Sequence, residues 1–369
     1  MRRFELKEEG STKFWEIELS DKTLTVRYGQ EKSTTYPWPQ IAEKEHGKLI
    51  AERLRKGYKE VKDADAQGDD LEAATAEKDL VSAVRRYGAL KRVAAQLISL
   101  QRLSLRITTE AVKGKSVGSS KLGGRPDLPP DLSWPVGKVA GREIALPFIA
   151  QFDIAPLWRS YMGPGAQGLL PTSGMIYFFY NMADYGADYL SPENWRVLYT
   201  PVRDKGKFVP SQPPLPIPPH LEYKARAARF QTEVTLPNIE SRYIGVTGNS
   251  DAKVELTEEE WDAYAELRDE MRSNHTIHQM LGHADDVQPY ALENSYKSVR
   301  DTFFSDGRPF KNLTPKEQSE ELFRGRLLLQ VNTDESMNMI FGRGGRLFFF
   351  IRDQDLIAKD FSKVWVNEQ

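Results

Sequence analysis

The chain has 369 residues, of which 40% are hydrophobic and 28% charged, a composition typical of globular proteins and a length that suits two domains. Its net charge is only −2, so no overall field favours nucleic acid or a membrane surface. It has no cysteine, which excludes disulfides, thiolate nucleophiles and cysteine-ligated zinc or iron–sulfur sites.

The first residues, MRRFELKEEG, place charges where a secretory signal needs an apolar core. No apolar run approaches the ~18 residues that a membrane-spanning helix requires. We therefore expect a cytoplasmic protein.

The first predicted elements are two strands and a helix. FWEIELS and KTLTVRYG alternate apolar and polar residues at strand period, with a hairpin turn at 20–22. IAEKEHGKLIAERLRKGY then has helical spacing, with Gly57 in the position of a C-cap. Its predicted apolar stripe is Ile41, Leu49, Ile50 and Leu54.

KFWEIELSDKTLTVRYG followed by KLIAERLRKGYKEV resembles the WGR domain, a small module of poly-ADP-ribose polymerases and bacterial proteins. We place this domain at residues 1–61. The family has Trp-Gly-Arg and then a glycine-rich loop, whereas this chain has Tyr28-Gly29-Gln30 and continues directly to EKSTTYPWP. We therefore expect no specific nucleic-acid binding. Tyr36 and Trp38 of that segment are predicted to contact a partner, Trp38 as a proline-stiffened anchor.

Residues 62–79 are acidic and poor in apolar residues, which predicts a solvated linker. A basic segment follows: from Leu80 to Arg125 there are ten Lys and Arg residues and a single acid, Glu110. Its start is predicted to be a helix with an apolar stripe comprising Leu80, Val84, Tyr87, Leu90, Ala94 and Leu97. The basic residues off this stripe are Arg85, Arg86, Lys91 and Arg92. They form either a solvated helix face or a surface that docks an acidic partner.

An internal echo follows in the strand-rich remainder. LPFIAQFDI is followed by SGMIYFFY, and RLLLQVNTDE is followed by GGRLFFFIRD. Each pair has a glutamine in mid-strand, Gln151 or Gln330, and a glycine that opens an aromatic strand. Two copies of one strand-pair unit predict a pseudo-duplicated antiparallel sheet, because neither copy alone buries its aromatic face.

Residues 80–369 resemble the YwqG-like family, a bacterial domain of unknown function. The resemblance is carried by KLGGRPDLPPDLSWP, LPFIAQFDI, HQMLGHADDVQ, RLLLQVN and GRLFFFIRDQDLIAKDFSKVWV. It implies a mixed α+β fold and no particular activity. The fold class is thus α+β: a small WGR-like strand and helix module, then a larger domain with the pseudo-duplicated sheet.

Three of the five histidines, His275, His278 and His283, lie in HTIHQMLGHADD. Gly282 interrupts any helix before the third of them, and a turn is predicted directly after it. We therefore expect neither a metal nor a cofactor. In the YwqG-like pattern His278, Gly282 and Gln288 have counterparts, which implies a structural, hydrogen-bonded His278.

The sequence has no HExxH and no recognisable nucleophile–base pair. We therefore expect a non-enzymatic protein that binds another protein. Both families resemble components of bacterial toxin and immunity neighbourhoods, which implies an immunity protein (antitoxin) that occludes a toxin encoded by a neighbouring gene. WGR domains accompany ADP-ribosyltransferase domains, so such a toxin is a candidate target.

Two alternatives stay open. The first is an enzyme or small-ligand-binding protein with a pocket in the YwqG-like domain, near His278 and the two strand glutamines. The second is nucleic-acid binding through the basic segment.

Overall fold

The computed structural model describes residues 2–8, 11–20, 22–28, 30–56, 59–61, 80–114, 117–139, 141–160, 169–182, 191–201, 204–247, 252–271, 278–286 and 312–369. The chain forms two compact units, Met1–Gly68 and Asp69–Gln369. The predicted linker, residues 62–79, and the position of Gly57 lie outside the described residues, so these two expectations stay predictions.

The first unit is an antiparallel five-stranded sheet with one helix. Its elements are β1 Arg2–Glu8, β2 Ser11–Ser20, β3 Thr23–Tyr28, β4 Gln30–Thr35, helix α1 Pro39–Arg55 and β5 Lys59–Val61. The strand order is β4-β3-β2-β1-β5. The predicted hairpin is confirmed, because β2 and β3 pair antiparallel from Glu16–Arg27 to Ser20–Thr23.

The helix α1 packs on this sheet through a face that differs in part from the predicted stripe. Ala42 and Ile50 are buried, since residues eight apart lie on the same side of a helix with 3.6 residues per turn. Ile41 is 42% exposed and Leu54, in the last turn, 49% exposed. The prediction was therefore wrong for both, and Ile41 lies about 180° around the helix from the buried Ile50, nine residues further on.

The second unit has sixteen strands in the described part of the chain. In chain order they are β6 Arg102–Ala111, β7 Lys121–Leu122, β8 Asp127–Leu128, β9 Val136–Val139, β10 Arg142–Ala145, β11 Phe148–Asp153, β12 Met175–Tyr180, β13 Trp195–Thr200, β14 Val209–Pro210, β15 Arg226–Thr235, β16 Ile244–Val246, β17 Val254–Leu256, β18 His278–Leu281, β19 Gly325–Asn332, β20 Arg346–Arg352 and β21 Trp365–Glu368. Its helices include α2 Ala94–Ser99, α3 Ile154–Ser160, α4 Glu258–Met271, α5 Pro315–Arg324 and α6 Asp353–Ile357.

Ten of these strands form one antiparallel sheet, in the order β13-β12-β11-β7-β15-β6-β18-β19-β20-β21. We call β13, β12, β11, β7 and β15 the first half-sheet and the other five strands the second half-sheet. The register relates the halves by an approximate two-fold axis. Leu122 pairs with Arg226 as Met280 pairs with Leu105, and both partners lie three residues before the central pair, Arg229–Thr108.

The predicted echo corresponds to the hairpins β11–β12 and β19–β20. Each hairpin has one irregularity in its register, between Phe148 and Ala150 and between Leu327 and Leu329. In both hairpins the mid-strand glutamine directly follows this irregularity. The pseudo-duplicated antiparallel sheet is confirmed, and it extends from two strands to five in each half.

The two halves exchange a strand. The innermost strand of the second half-sheet, β6, precedes the whole first half-sheet in the chain, and the innermost strand of the first, β15, follows the other four. Read along the chain, each repeat is one long strand followed by four others, and each long strand pairs with the other long strand and with the first short strand of the other repeat. Neither repeat therefore completes its own sheet.

The sheet curls so that its ends approach each other. Trp195 on β13 donates its indole N–H to the carbonyl oxygen of Val364, immediately before β21 (2.9 Å). Phe178 on β12 and its counterpart Phe349 on β20 pack edge to face, 5.1 Å between ring centroids. The aromatic faces of the two halves thus bury each other, as the prediction required.

The start of the basic segment is not one helix. Residues 80–86 are helical, Gly88–Arg92 form a 3₁₀ turn, and α2 follows. The break occurs at Tyr87, whose backbone is extended (φ −84°, ψ 91°). The predicted stripe is nonetheless mostly buried, with Leu80, Leu90 and Leu97 no more than 1% exposed.

Candidate ligand-binding site

The two mid-strand glutamines hold equivalent loops. The side-chain oxygen of Gln151 accepts the backbone N–H of Asp127 (2.7 Å), and that of Gln330 accepts the backbone N–H of Asp285 (2.9 Å). Both glutamines are 0% exposed. Each aspartate lies a few residues after the short strand beside the glutamine, so each bond fixes the path of the chain leaving β7 or β18.

In the first half-sheet this loop is closed by a buried ion pair. The Asp127 carboxylate, 2% exposed, accepts the Lys121 ammonium (2.8 Å), the Gln151 amide (2.8 Å) and the backbone N–H of Gly118 (3.0 Å). Tyr177 donates its hydroxyl to the Asp127 carbonyl oxygen (2.8 Å). Burial raises the pKa of Tyr177, so it remains a neutral donor.

In the second half-sheet the corresponding aspartate has a different cation. Gln279 occupies the position of Lys121 and donates its amide to the His283 carbonyl oxygen (2.6 Å). The Asp285 carboxylate instead accepts the guanidinium of Arg346, and Arg268 lies 3.8 Å from its other oxygen. The two halves thus keep the aspartate and take its counter-ion from different strands.

The backbone conformation and close packing at position 282 require a glycine. It has φ +74°, and a Cβ there would lie 2.7 Å from both Ser104 Cβ and Thr235 Oγ1. Its counterpart Gly124 has φ +72°, and a Cβ there would lie 2.7 Å from Ala225 Cβ. A side chain at either position would strain the turn and clash.

The two described histidines of the cluster have separate hydrogen-bond partners. His278 Nδ1 accepts the backbone N–H of Asn332 (3.1 Å), and Nε2 lies 3.4 Å from the Asp334 carboxylate. This hydrogen bond from His278 lowers the pKa of Asp334. His283 Nε2 donates to the Leu100 carbonyl oxygen (2.7 Å).

No metal-binding group was found in the described ranges, where no three or more His, Asp or Glu side chains cluster suitably. His275 and Gln288 lie outside those ranges. The histidine cluster is thus described only at its second and third members, both of which bond to protein atoms.

A groove of about 550 Å³ lies beside the 282–286 segment. We call it the ring-lined groove, after its aromatic side chains. Its lining includes Arg102, Arg242, Tyr243, His283, Asp286 and Phe323. A second pocket of about 450 Å³ shares His283 and Ala284 with this groove and is lined in part by Glu233, Arg268 and Gln279.

Comparison with known families accounts for both units. Residues 120–369 match the family described as Domain of unknown function (DUF1963), and residues 1–65 match the WGR domain. The chain belongs to the DUF1963 family. The YwqG-like and WGR resemblances are thereby confirmed. No curated protein matches the chain.

The family match begins after β6, although β6 lies in the middle of the DUF1963 sheet. Leu105 and Ile107 of β6 are at most 1% exposed, and the strand pairs with β15 along its whole length. The match at residues 1–65 covers the five strands and α1 of the WGR domain.

No described helix is long and apolar enough to cross a membrane.

Within the WGR domain, the predicted partner residues differ in exposure. Trp38 is 66% exposed at the N-cap of α1. Tyr36 is half-buried against the small core around Ile17, Leu24 and Ile50. Tyr28 ends β3, and nothing is described of its side chain or of Gly29.

The four basic residues predicted to contact a partner from the DUF1963 unit also differ in their surroundings. Arg86 forms an ion pair with Glu270, and Arg92 donates to Glu260 (2.8 Å), so both attach the basic segment to α4. Glu260 also caps the start of α4, because its carboxylate accepts the Thr257 backbone N–H (2.8 Å). Arg85 and Lys91 are exposed.

The sequence reasoning missed Asp127, Asp285 and the rings of the groove. A signal for the aspartates was present, because KLGGRPD and QMLGHAD share G-x-x-D with an apolar residue two positions before the glycine. Tyr243 and Phe323 carried no such signal, since they lie in segments without a repeated motif.

Proposed function

We propose that the protein binds another protein and acts as a cytoplasmic immunity protein, occluding a bacterial toxin encoded by a neighbouring gene. In this proposal it inhibits stoichiometrically and catalyses nothing. The observation that carries it is the exposure of Trp38. The choice of an ADP-ribosyltransferase as the toxin rests on analogy, because WGR domains accompany ADP-ribosyltransferase domains.

Trp38 has the properties of an interface anchor. Its side chain is 66% exposed, while its backbone is ordered, because the amides of Ile41 and Ala42 both donate to its carbonyl oxygen (3.2 and 3.3 Å). Prolines flank it on both sides. A large ring with little conformational freedom to lose is typical of binding hot spots.

Arg85 and Lys91 support the proposal in a smaller way. Both are exposed, and no carboxylate of the described residues lies within ion-pair distance of either. Such charges accelerate association with an acidic surface more than they strengthen the complex. A WGR domain and a DUF1963 domain that contact separate patches of one toxin would gain from effective concentration.

The test is co-expression of the full chain with the product of the neighbouring gene, followed by co-purification and a growth assay. We expect rescue of growth and a stoichiometric complex. Trp38→Ala should weaken that complex by about 2 kcal/mol or more. A neighbour that is harmless alone, or rescue without any complex, would contradict the proposal.

A matched control is Ile357→Ala, which removes an exposed apolar side chain (57%) from the other unit. It should leave the complex unchanged. Equal losses in both variants would show that Trp38 is not an anchor.

The second candidate function is small-ligand binding by the DUF1963 domain. The ring-lined groove favours it, because ligand sites are concave, partly aromatic and provided with a few polar groups.

A further inference from the structure

The two half-sheets differ at the ring-lined groove. Arg102 lies three residues before Leu105, and its counterpart in the first half-sheet is Tyr223, three residues before Arg226. Tyr223 is 5% exposed and belongs to the main core. Equivalent positions of the two half-sheets thus hold a core residue in the first half and a groove-lining cation in the second.

One wall of the groove is made of rings. Tyr243 packs edge to face against Phe323 (5.1 Å between centroids) and against His283 (5.3 Å). Tyr243 and Phe323 are both half-buried, so part of each ring remains accessible. An aromatic wall of this kind favours a planar ligand, which stacks or packs edge to face on it.

The charged groups of the groove favour an anion. Arg102 donates to the Tyr243 hydroxyl (2.8 Å) and lies 5.4 Å over its ring, which holds the guanidinium in place. Arg242 lines the same groove, and Lys253 lies 4.2 Å over the ring of Phe323. Among the described lining residues, Asp286 is the one carboxylate. Arginine pairs well with carboxylates and phosphates, to which it can present two N–H groups at once.

His283 adds a neutral acceptor. Burial lowers its pKa well below the usual range, aided by the charge of Arg102. Because Nε2–H donates to the Leu100 carbonyl oxygen, Nδ1 carries the lone pair.

We propose that the ring-lined groove binds a small molecule composed of a planar ring and a carboxylate or phosphate, with the ring against Tyr243 and Phe323 and the anion at Arg102 and Arg242. A nucleoside monophosphate and an aromatic carboxylic acid share this chemistry. The proposal is independent of toxin binding, which we assign to other surfaces.

The test is isothermal titration calorimetry of the full chain with AMP and indole-3-acetate, and with their uncharged analogues adenosine and indole-3-acetamide. At least one anion should bind with a Kd below about 1 mM. Its uncharged analogue should bind at least about tenfold more weakly. AMP binding alone identifies a nucleotide as the source, and indole-3-acetate binding alone an aromatic acid.

Three variants locate the site. Arg102→Gln, Arg242→Gln and Phe323→Ala should each raise the Kd at least about tenfold, a loss of about 1.4 kcal/mol. Arg229→Gln is the matched control, because it removes the same charge from an exposed position on β15 (71%). If Arg102→Gln does not fold by circular dichroism, the other two variants decide.

The proposal is overturned if neither anion binds below about 1 mM. It is also overturned if the uncharged analogues bind equally well, or if Arg229→Gln weakens binding as much as the groove variants do.

Discussion

The first and second half-sheets share one backbone arrangement but differ in the side chains that surround it. In both, a buried glutamine accepts the backbone N–H of an aspartate (Gln151 and Asp127, Gln330 and Asp285). The cation of the aspartate comes from the adjacent short strand in one half and from β20 in the other. The hydrogen bond from the aspartate backbone to the glutamine is therefore common to both half-sheets, whereas the counter-ion of the aspartate comes from a different strand in each.

The largest effect is expected from removing the strand that joins the halves. A chain of residues 120–369, the range matched by the family, lacks β6 and should not fold, because β15 and β18 would both expose unpaired edges. A chain of residues 80–369 retains β6 and should fold. Size-exclusion chromatography and circular dichroism measure both. A monomeric, cooperatively folded 120–369 fragment would show that the halves are not tied together through β6.

The next effect concerns the buried ion pair of the first half-sheet. Lys121→Met leaves the Asp127 carboxylate, 2% exposed, without a cation and should lower the free energy of unfolding by about 3–5 kcal/mol. Urea denaturation measures this. Adding Asp127→Asn should restore most of the loss, since the remaining group is then uncharged.

The matched change in the second half-sheet is Arg346→Met. It should cost less than Lys121→Met, because Arg268 remains 3.8 Å from Asp285. An equal or larger cost would mean that Arg268 does not compensate, and that the two counter-ions are equivalent after all.

The smallest effect is expected in the pH dependence of stability, to which His283 of the second half-sheet contributes. Burial holds the pKa of His283 below that of the unfolded chain, about 6.5. The full stability is therefore present above about pH 6.5 and is lost as the pH falls from there towards the folded-state pKa, because only the unfolded chain takes up this proton. Denaturation at pH 5–8 should show a shallower loss in His283→Gln than in the unchanged protein.

The control is Arg125→Gln, at the position in the first half-sheet that corresponds to His283. It changes the equivalent position and leaves His283 in place, so the pH dependence should stay as it was. If His283→Gln also leaves it unchanged, His283 does not account for the loss.

Much of this architecture could be predicted from the sequence, since aromatic runs and mid-strand glutamines repeat visibly. The strand exchange could not, because β7 and β18 are too short to show any periodicity. Of the site, Gln151, Gln330 and Gly282 were found, as their local patterns are distinctive. The groove was missed because Arg102, Tyr243 and Phe323 are far apart in the chain and meet only in the folded sheet.

The strand exchange also has a consequence for synthesis on the ribosome. β6 leaves the ribosome before either of its neighbours in the sheet, and β15 follows only after the rest of the first half-sheet. At about 5–20 residues per second, β6 waits several seconds for its first partner and longer for β18. During that interval its apolar residues Leu103, Leu105 and Ile107 have no native strand to pair with. This nascent chain is therefore a natural client for chaperones that shield unpaired strands.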